Sequence, residues 1–353
     1  MPVSKETMNM AGLLVDIYGL DQVPLPSRPC PLTCLWLLHP RLRSRSSMQD
    51  IAERTLAAWH QTYQYGARRR SLIALAFDMP NHGSRKVCET SNLDWEEGNL
   101  SHARDMVNAV GGGAATMSLL MGLVGFYTGR TAEIDAHVCL GWSLGGHTAW
   151  WSLFGEPRLD GAVVVVGCAD YICEDTFSSS LSNCSTRYFI WCSRRVMSGV
   201  GALMTERHKE SPLPTPSPFL GSVYFPSDLV TEIQKVDPKA RLFGATAAPP
   251  PSPPLPASEQ DRLRDLLDAK VRGKKVLVCS GGDDKLVPYA RSAPLLAVLK
   301  DAVRPGGWYE DGGFVLEDRV YEGVGHKFNE DMVRDSVKFL VRIVSEGPRD
   351  RGA

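Results

Sequence analysis

Short apolar runs alternate with amphipathic segments along most of this sequence. Leu13–Leu20 is a weak run, and Leu32–Leu38 (LTCLWLL) and Ser71–Phe77 (SLIALAF) are strong ones. His137–Leu140 (HVCL), Gly161–Val166 (GAVVVV), Lys275–Cys279 (KVLVC) and Phe314–Tyr321 follow. Runs this short read as strands, and GAVVVV is rich in the β-branched residues that a parallel sheet interior requires. Between and after them, Met48–Tyr63, Ser101–Tyr127, Leu144–Phe154, Ala290–Val303 and Asn329–Val344 read as helices. The alternation predicts an α/β fold, a mostly parallel twisted sheet with helices on both faces. Gly111, Gly112 and Gly113 are expected to bend the Ser101–Tyr127 helix. Met106–Gly129 carries no formal charge over a length that can span a bilayer. The three glycines and the polar Asn108, Thr116 and Ser118 instead predict buried helix, so no membrane span is expected.

The alternation breaks between Cys168 and Lys270. Twelve of the 24 prolines fall between Ser211 and Pro256, and PPPSPPLP (Pro249–Pro256) reads as an extended loop. The expected organisation is a core of residues 1–167 and 271–353, with an inserted cap over 168–270 that carries the Pro-rich loop 249–256. Lys and Arg number 39 against 40 Asp and Glu, which argues against nucleic-acid binding. MPVSKETMNM has no basic stretch followed by an apolar core, so no secretory signal is expected. The nine cysteines include no CxxC pair, which suggests a reducing, cytoplasmic setting. No His, Cys, Asp and Glu cluster has metal-ligand spacing, so neither a metal nor another cofactor is expected. Cys34, Cys139 and Cys279 lie in strand runs and read as small core residues.

The chemistry concentrates at Gly141-Trp142-Ser143-Leu144-Gly145, a G-x-S-x-G pattern that ends an apolar run and opens a helix. A nucleophile on such a turn is strained, and its neighbours must be small. The helix behind it aims N–H groups and its positive dipole end at the same point. Serine also needs a base. His326 lies in a small-residue loop just past Phe314–Tyr321, where an α/β fold places chemistry. His147, four residues after Ser143, is the competitor and is expected to pack under the turn. The acid candidates are Asp283 and Asp284 after KVLVC, and Asp170 after GAVVVV.

GWSLGGH, GGDDKLVP and GVGHKF resemble motifs of the α/β-hydrolase superfamily. The resemblance runs from about Thr33 to Val344, apart from the insertion. It implies the chain order Ser143, Asp284, His326 for a catalytic triad, with Asp283 turned outward. Some members carry the acid after the GAVVVV-equivalent strand, which keeps Asp170 in play. The implied oxyanion donors are the N–H of Leu144 and that of Arg41, in the loop after LTCLWLL. Relatives have His-Gly in that loop, whereas this chain has His39-Pro40. Asp78-Met79-Pro80-Asn81-His82-Gly83-Ser84 is similar to a superfamily turn with a structural role. LWLLHPRL, FDMPNHG, EGNLSHARDM and VVVVGCADY resemble fungal α/β-hydrolases of natural-product gene clusters, which implies a biosynthetic role. Tyr188–Met204 fits no expected element and is a candidate cap helix.

The resulting expectation is a cofactor-free serine hydrolase acting on an ester or thioester of a small or medium apolar molecule, such as a polyketide or peptide-derived intermediate. His39, Trp142 and Trp36 are the expected substrate contacts, with Trp150 and Trp151 packed under the turn. Arg41, Arg43 and Arg45 are candidates for an anionic substrate group, against the plainer expectation of a solvated loop. Two other readings use the same residues. One is acyl transfer, lactonisation, C–C cleavage or condensation by the same triad. The other is a binding protein on a dead hydrolase fold.

Overall fold

The computed structural model describes residues 2–24, 30–62, 70–95, 97–172, 221–244 and 250–349. Tyr188–Met204 and most of the expected cap lie outside them. The described strands form one eight-stranded sheet. They are β1 (Lys5–Met10), β2 (Leu13–Tyr18), β3 (Leu32–Leu38), β4 (Ser71–Phe77), β5 (Ile134–Trp142), β6 (Leu159–Val165), β7 (Lys275–Gly281) and β8 (Val315–Tyr321). Their order across the sheet is β1-β2-β4-β3-β5-β6-β7-β8. β1 and β2 pair antiparallel, as do β2 and β4, and every later pair is parallel. The expected α/β architecture is the one observed.

Side chains on β3 explain the layering. Cys34, Trp36 and Leu38 enter one core cluster, while Leu35 and Leu37 enter the other. That is the two-residue period of a strand buried on both faces. One layer holds α2 (His102–Thr128), α3 (Leu144–Gly155), α6 (Ala257–Val271) and α7 (Tyr289–Val303). The other holds α1 (Gln49–Thr62) and α8 (Glu330–Glu346). In α8, Met332, Val333, Ser336, Phe339, Leu340, Ile343 and Val344 form a buried stripe. Each large apolar side chain so covered contributes about 1.5–3 kcal/mol. Asn329 starts this helix by accepting a hydrogen bond from Met332 N–H at 3.0 Å.

Three expectations change. β1 was not anticipated. It folds back on β2 through Ala11 (φ 50°) and Gly12 (φ 83°), a two-residue turn with both residues left-handed. β2 stops at Tyr18, because Gly19 turns left-handed at φ 83°. Helix α2 runs unbroken across Gly111–Gly113. Those glycines serve close approach: a Cβ on Gly112 would lie 2.9 Å from Pro80, and one on Gly113 would overlap Met79. α2 is long and apolar enough to cross a membrane, and half of its most apolar window is buried in this fold.

The expected cap boundary also shifts. α6 lies within 168–270, yet Leu263, Leu267 and Val271 belong to the sheet core and the helix packs on α3. It is the crossover helix between β6 and β7, a connection that parallel neighbours require. Before it come α4 (Ser227–Gln234) and α5 (Pro238–Phe243). α5 is tied to the core by Lys239 N–H to the Ala169 carbonyl at 3.2 Å and by Arg241 to the Phe154 carbonyl at 2.8 Å.

Candidate active site

Ser143 stands between the end of β5 and the start of α3, at φ 56° and ψ −111°. Such backbone is rare for a residue with a Cβ. The glycines around it leave no room for side chains. A Cβ on Gly141 would overlap the Gly145 carbonyl, and one on Gly145 would overlap the Leu38 carbonyl. A Cβ on Gly146 would lie 2.9 Å from the Val165 carbonyl, and one on Gly167 would lie 2.6 Å from Gly146. So β3, the turn and the end of β6 meet backbone to backbone. Ser143 N–H donates to the Val165 carbonyl at 2.9 Å, and the next residue, Val166, is itself left-handed at φ 44°.

Three loops at strand ends converge here. Ser143 Oγ lies 2.8 Å from His326 Nε2. His326 Nδ1 lies 2.8 Å from Asp284 Oδ2. Asp284 Oδ1 accepts from the N–H groups of Leu286 at 2.8 Å and Val287 at 2.9 Å. Burial works to raise the Asp284 carboxyl. The hydrogen bond and charge of His326, with the Val287 and Leu286 N–H groups, outweigh it and hold the carboxyl below its ordinary value. A carboxylate that accepts several hydrogen bonds while ionised behaves this way. A serine, an imidazole and an ionised carboxylate in this line can move a proton off the hydroxyl.

The other acids are placed elsewhere. Asp283 is exposed, and its N–H bonds the Val324 carbonyl at 2.9 Å. Asp170 is buried with no hydrogen bond to Oδ1. Burial raises its carboxyl, while Lys239, the Ile172 N–H and Arg291 pull the other way. His147 packs edge-on against Tyr171 at 5.4 Å, with Nδ1 3.3 Å from both N and O of Cys168. Burial is the main cause holding it near 4, so it is neutral at ordinary pH.

The expected substrate contacts need correction. His39 is fully buried, with Nδ1 2.8 Å from the Pro40 carbonyl and Nε2 accepting from Met79 N–H at 2.9 Å. It has no ring nitrogen left to offer a substrate. Trp36 is also fully buried, with its N–H on His137 Nδ1 at 3.1 Å, so it forms core rather than pocket wall. Trp142 is partly exposed and packs on Phe328 at 5.9 Å, bracing the serine turn against the His326 loop. Leu144 opens α3, so its N–H faces away from the helix ladder. Arg41 lies on the loop after β3 and donates to the Asn92 carbonyl at 3.2 Å. Arg45 is bound to Asp16 at 3.0 Å and to Asp78 at 2.5 Å, which removes it as a substrate contact. Arg43 is exposed. The Arg45–Asp78 tie joins residues 33 apart, a contact that spacing along the chain does not encode.

Cys34, Cys139 and Cys279 are buried, and burial pushes their thiols well above the ordinary range. Among the described residues, no group of three or more His, Cys, Asp or Glu is arranged to hold a metal ion.

The family model described as "Alpha/beta hydrolase family" matches residues 37–337. Among curated proteins, none matches the sequence. Among solved structures, TT1662 from Thermus thermophilus is similar with 18% identity and a TM-score of 0.51, covering 97% of this chain and 98% of that one. The acylaminoacyl peptidase of Pyrococcus horikoshii is similar with 10% identity and a TM-score of 0.52. It is covered over 43% of its length by the whole of this chain. At these identities the likeness is one of fold.

Proposed function

The chain belongs to the alpha/beta hydrolase family, and from that premise we propose that it is a serine hydrolase of an ester or thioester of a small or medium apolar molecule. The observation that carries this is the unbroken line Asp284–His326–Ser143, with both links at 2.8 Å, on a turn that holds the serine in strained backbone. Ser143 Oγ attacks the carbonyl as His326 Nε2 takes its proton. Asp284 holds Nδ1–H and offsets the charge that forms on the ring. The N–H groups of Leu144 and Arg41 receive the developing oxyanion. His326 then protonates the leaving group, and water releases the acyl-enzyme. A place in natural-product biosynthesis is the finer proposal, supported by the resemblance carried in LWLLHPRL and VVVVGCADY.

A fluorophosphonate probe tests the covalent step. Wild-type protein is expected to be labelled on Ser143 and to hydrolyse p-nitrophenyl butyrate. Ser143→Ala should take no label and lose turnover by about 10⁴–10⁶-fold. Equal labelling of Ser143→Ala sinks the mechanism.

A further inference from the structure

His147 lies one turn past Ser143 on α3, and its N–H donates to the Ser143 carbonyl at 3.0 Å. Residues four apart share a helix face, so its side chain leaves the helix on the side of the nucleophile. His39, His82, His102 and His137 are buried, whereas His147 keeps part of its ring exposed. Burial chiefly lowers this imidazole and the Cys168 backbone raises it, while the charges of His326 and Asp284 reach it with opposite signs. The ring sits beside the proposed triad and is neutral at ordinary pH.

Its two nitrogens have different surroundings. Nδ1 lies 3.3 Å from both N and O of Cys168, on the chain just past β6. It can accept from the Cys168 N–H or donate to the Cys168 carbonyl, but not both, because a neutral imidazole carries one proton. Cys168 is 5% exposed, and a buried amide N–H tolerates the loss of its partner less well than a carbonyl with two lone pairs. Nδ1 is therefore the acceptor, and Nε2 carries the proton. Among the described residues, Nε2 has no hydrogen-bond partner. The rest of the surroundings is aromatic. Tyr171 stands edge-on to the imidazole at 5.4 Å, and Trp151 packs on Tyr171 at 5.8 Å. Tyr171 N–H donates to Asp237 Oδ2 at 2.8 Å, which fixes this wall through its backbone.

We propose that His147 is a specificity residue for the acyl group, its Nε2–H donating to a keto or ether oxygen on the acyl chain beside the Tyr171 ring. This rests on the serine-hydrolase proposal above and narrows its substrate to an acyl group that carries oxygen. An all-carbon chain would strip water from Nε2–H and leave the donor unpaired, so the site discriminates against it.

Two pairs of p-nitrophenyl esters test this. Hexanoate and 4-methoxybutanoate have acyl chains of equal length, with one methylene replaced by an ether oxygen that can only accept. Pentanoate and 3-methoxypropanoate place that oxygen one atom nearer the carbonyl. The readout is the ratio of kcat/KM for the ether ester to that for its alkyl partner. His147→Phe keeps a ring against Tyr171, and His147→Asn keeps an acceptor for the Cys168 N–H. Both remove the Nε2 donor. In at least one pair the wild-type ratio should exceed that of either variant about tenfold. A purely structural role would lower both esters of a pair together and leave the ratio unchanged. Nitrogen NMR of the wild type should place the proton on His147 Nε2 between about pH 5 and 8, a readout that survives if both variants fail to fold. An unchanged ratio in both pairs for either folded variant, or a proton on Nδ1, overturns the proposal. A wild type that takes no fluorophosphonate label and cleaves none of the four esters overturns the hydrolase reading and this assignment with it. A labelled, active wild type whose ratios equal those of the variants overturns this assignment alone.

Discussion

Ser143 is held at φ 56°, a conformation that costs on the order of 1–3 kcal/mol and persists only where its surroundings enforce it. Enforcement comes from atoms that are absent. Gly145→Ala would push a methyl into the Leu38 carbonyl and displace either the end of β3 or the turn. The expected result is a lower melting temperature and a labelling rate reduced at least about 10²-fold, since a misplacement of about 1 Å costs that much. Asp284 and Asp170 give a second contrast. Asp284→Asn leaves the imidazole with the wrong tautomer and should lower kcat by about 10⁴-fold. Asp170→Asn lies outside the relay and should keep kcat within about threefold of wild type. A loss in Asp170→Asn as deep as that in Asp284→Asn would reassign the acid. Both residues follow strands in the sequence, so their identity as candidates was legible there. The choice between them depends on which carboxylate lies 2.8 Å from His326, a contact across 42 residues that spacing does not encode.

Among elements, α3 carries the heaviest duty, because Ser143, the proposed nucleophile, is its N-cap. Its last turn has no basic residue of its own. Lys274, in the turn before β7, supplies one by donating to the Leu153 carbonyl at 2.5 Å and the Glu156 carbonyl at 2.9 Å. Its ammonium thus faces the negative end of the helix dipole. Burial pushes Lys274 down to about 7, with Arg349 adding to the shift and Glu156 opposing it. The unfolded chain therefore holds a proton that the folded chain releases between about pH 7 and 10.5. Through this group, stability rises with pH across that window. Lys274→Met should lose that increment, seen as a smaller gain in urea midpoint from pH 7.5 to 9.5 than wild type gives. An identical gain in both proteins would show that Lys274 stays charged. The sequence marked α3 by its apolar run and glycine start. It could not mark Lys274 as its partner, because β6 and α6 intervene along the chain. Likewise, Gly111–Gly113 read as a bend, whereas their neighbours Trp151, Pro80 and Met79 make them a contact surface.

At the scale of the whole molecule, buried histidines give the fold an acid-side weakness. His39, His102 and His147 are held near 4, and His82 below its ordinary value, each mainly by burial. Between about pH 6.5 and 4 the unfolded chain binds protons that the folded chain refuses, so stability falls as pH falls. Asp170 and Asp237, both raised mainly by burial and Asp237 to about 7, run the other way. Their contribution is lost as pH rises through the folded value. Four bases against two acids leave a net loss toward acid. Urea midpoints should drop from pH 6.5 to 4.5. His102→Asn should flatten that slope by up to one proton, about 1.4 kcal/mol per pH unit. An unchanged slope would mean that His102 titrates normally in the folded state. The sequence by itself determined the layers and the place of the Ser143 turn. Strand and helix periods are local, and a serine turn between a strand and a helix is written in consecutive residues. It also put His326 and the acid candidates at strand ends, where a parallel sheet gathers its loops. Only the tertiary structure decided which acid meets the base, that His39 holds backbone instead of substrate, and that α6 belongs to the core. Those outcomes depend on burial and on contacts between distant segments, and a hydrogen-bond partner is fixed only when the chain has closed around it.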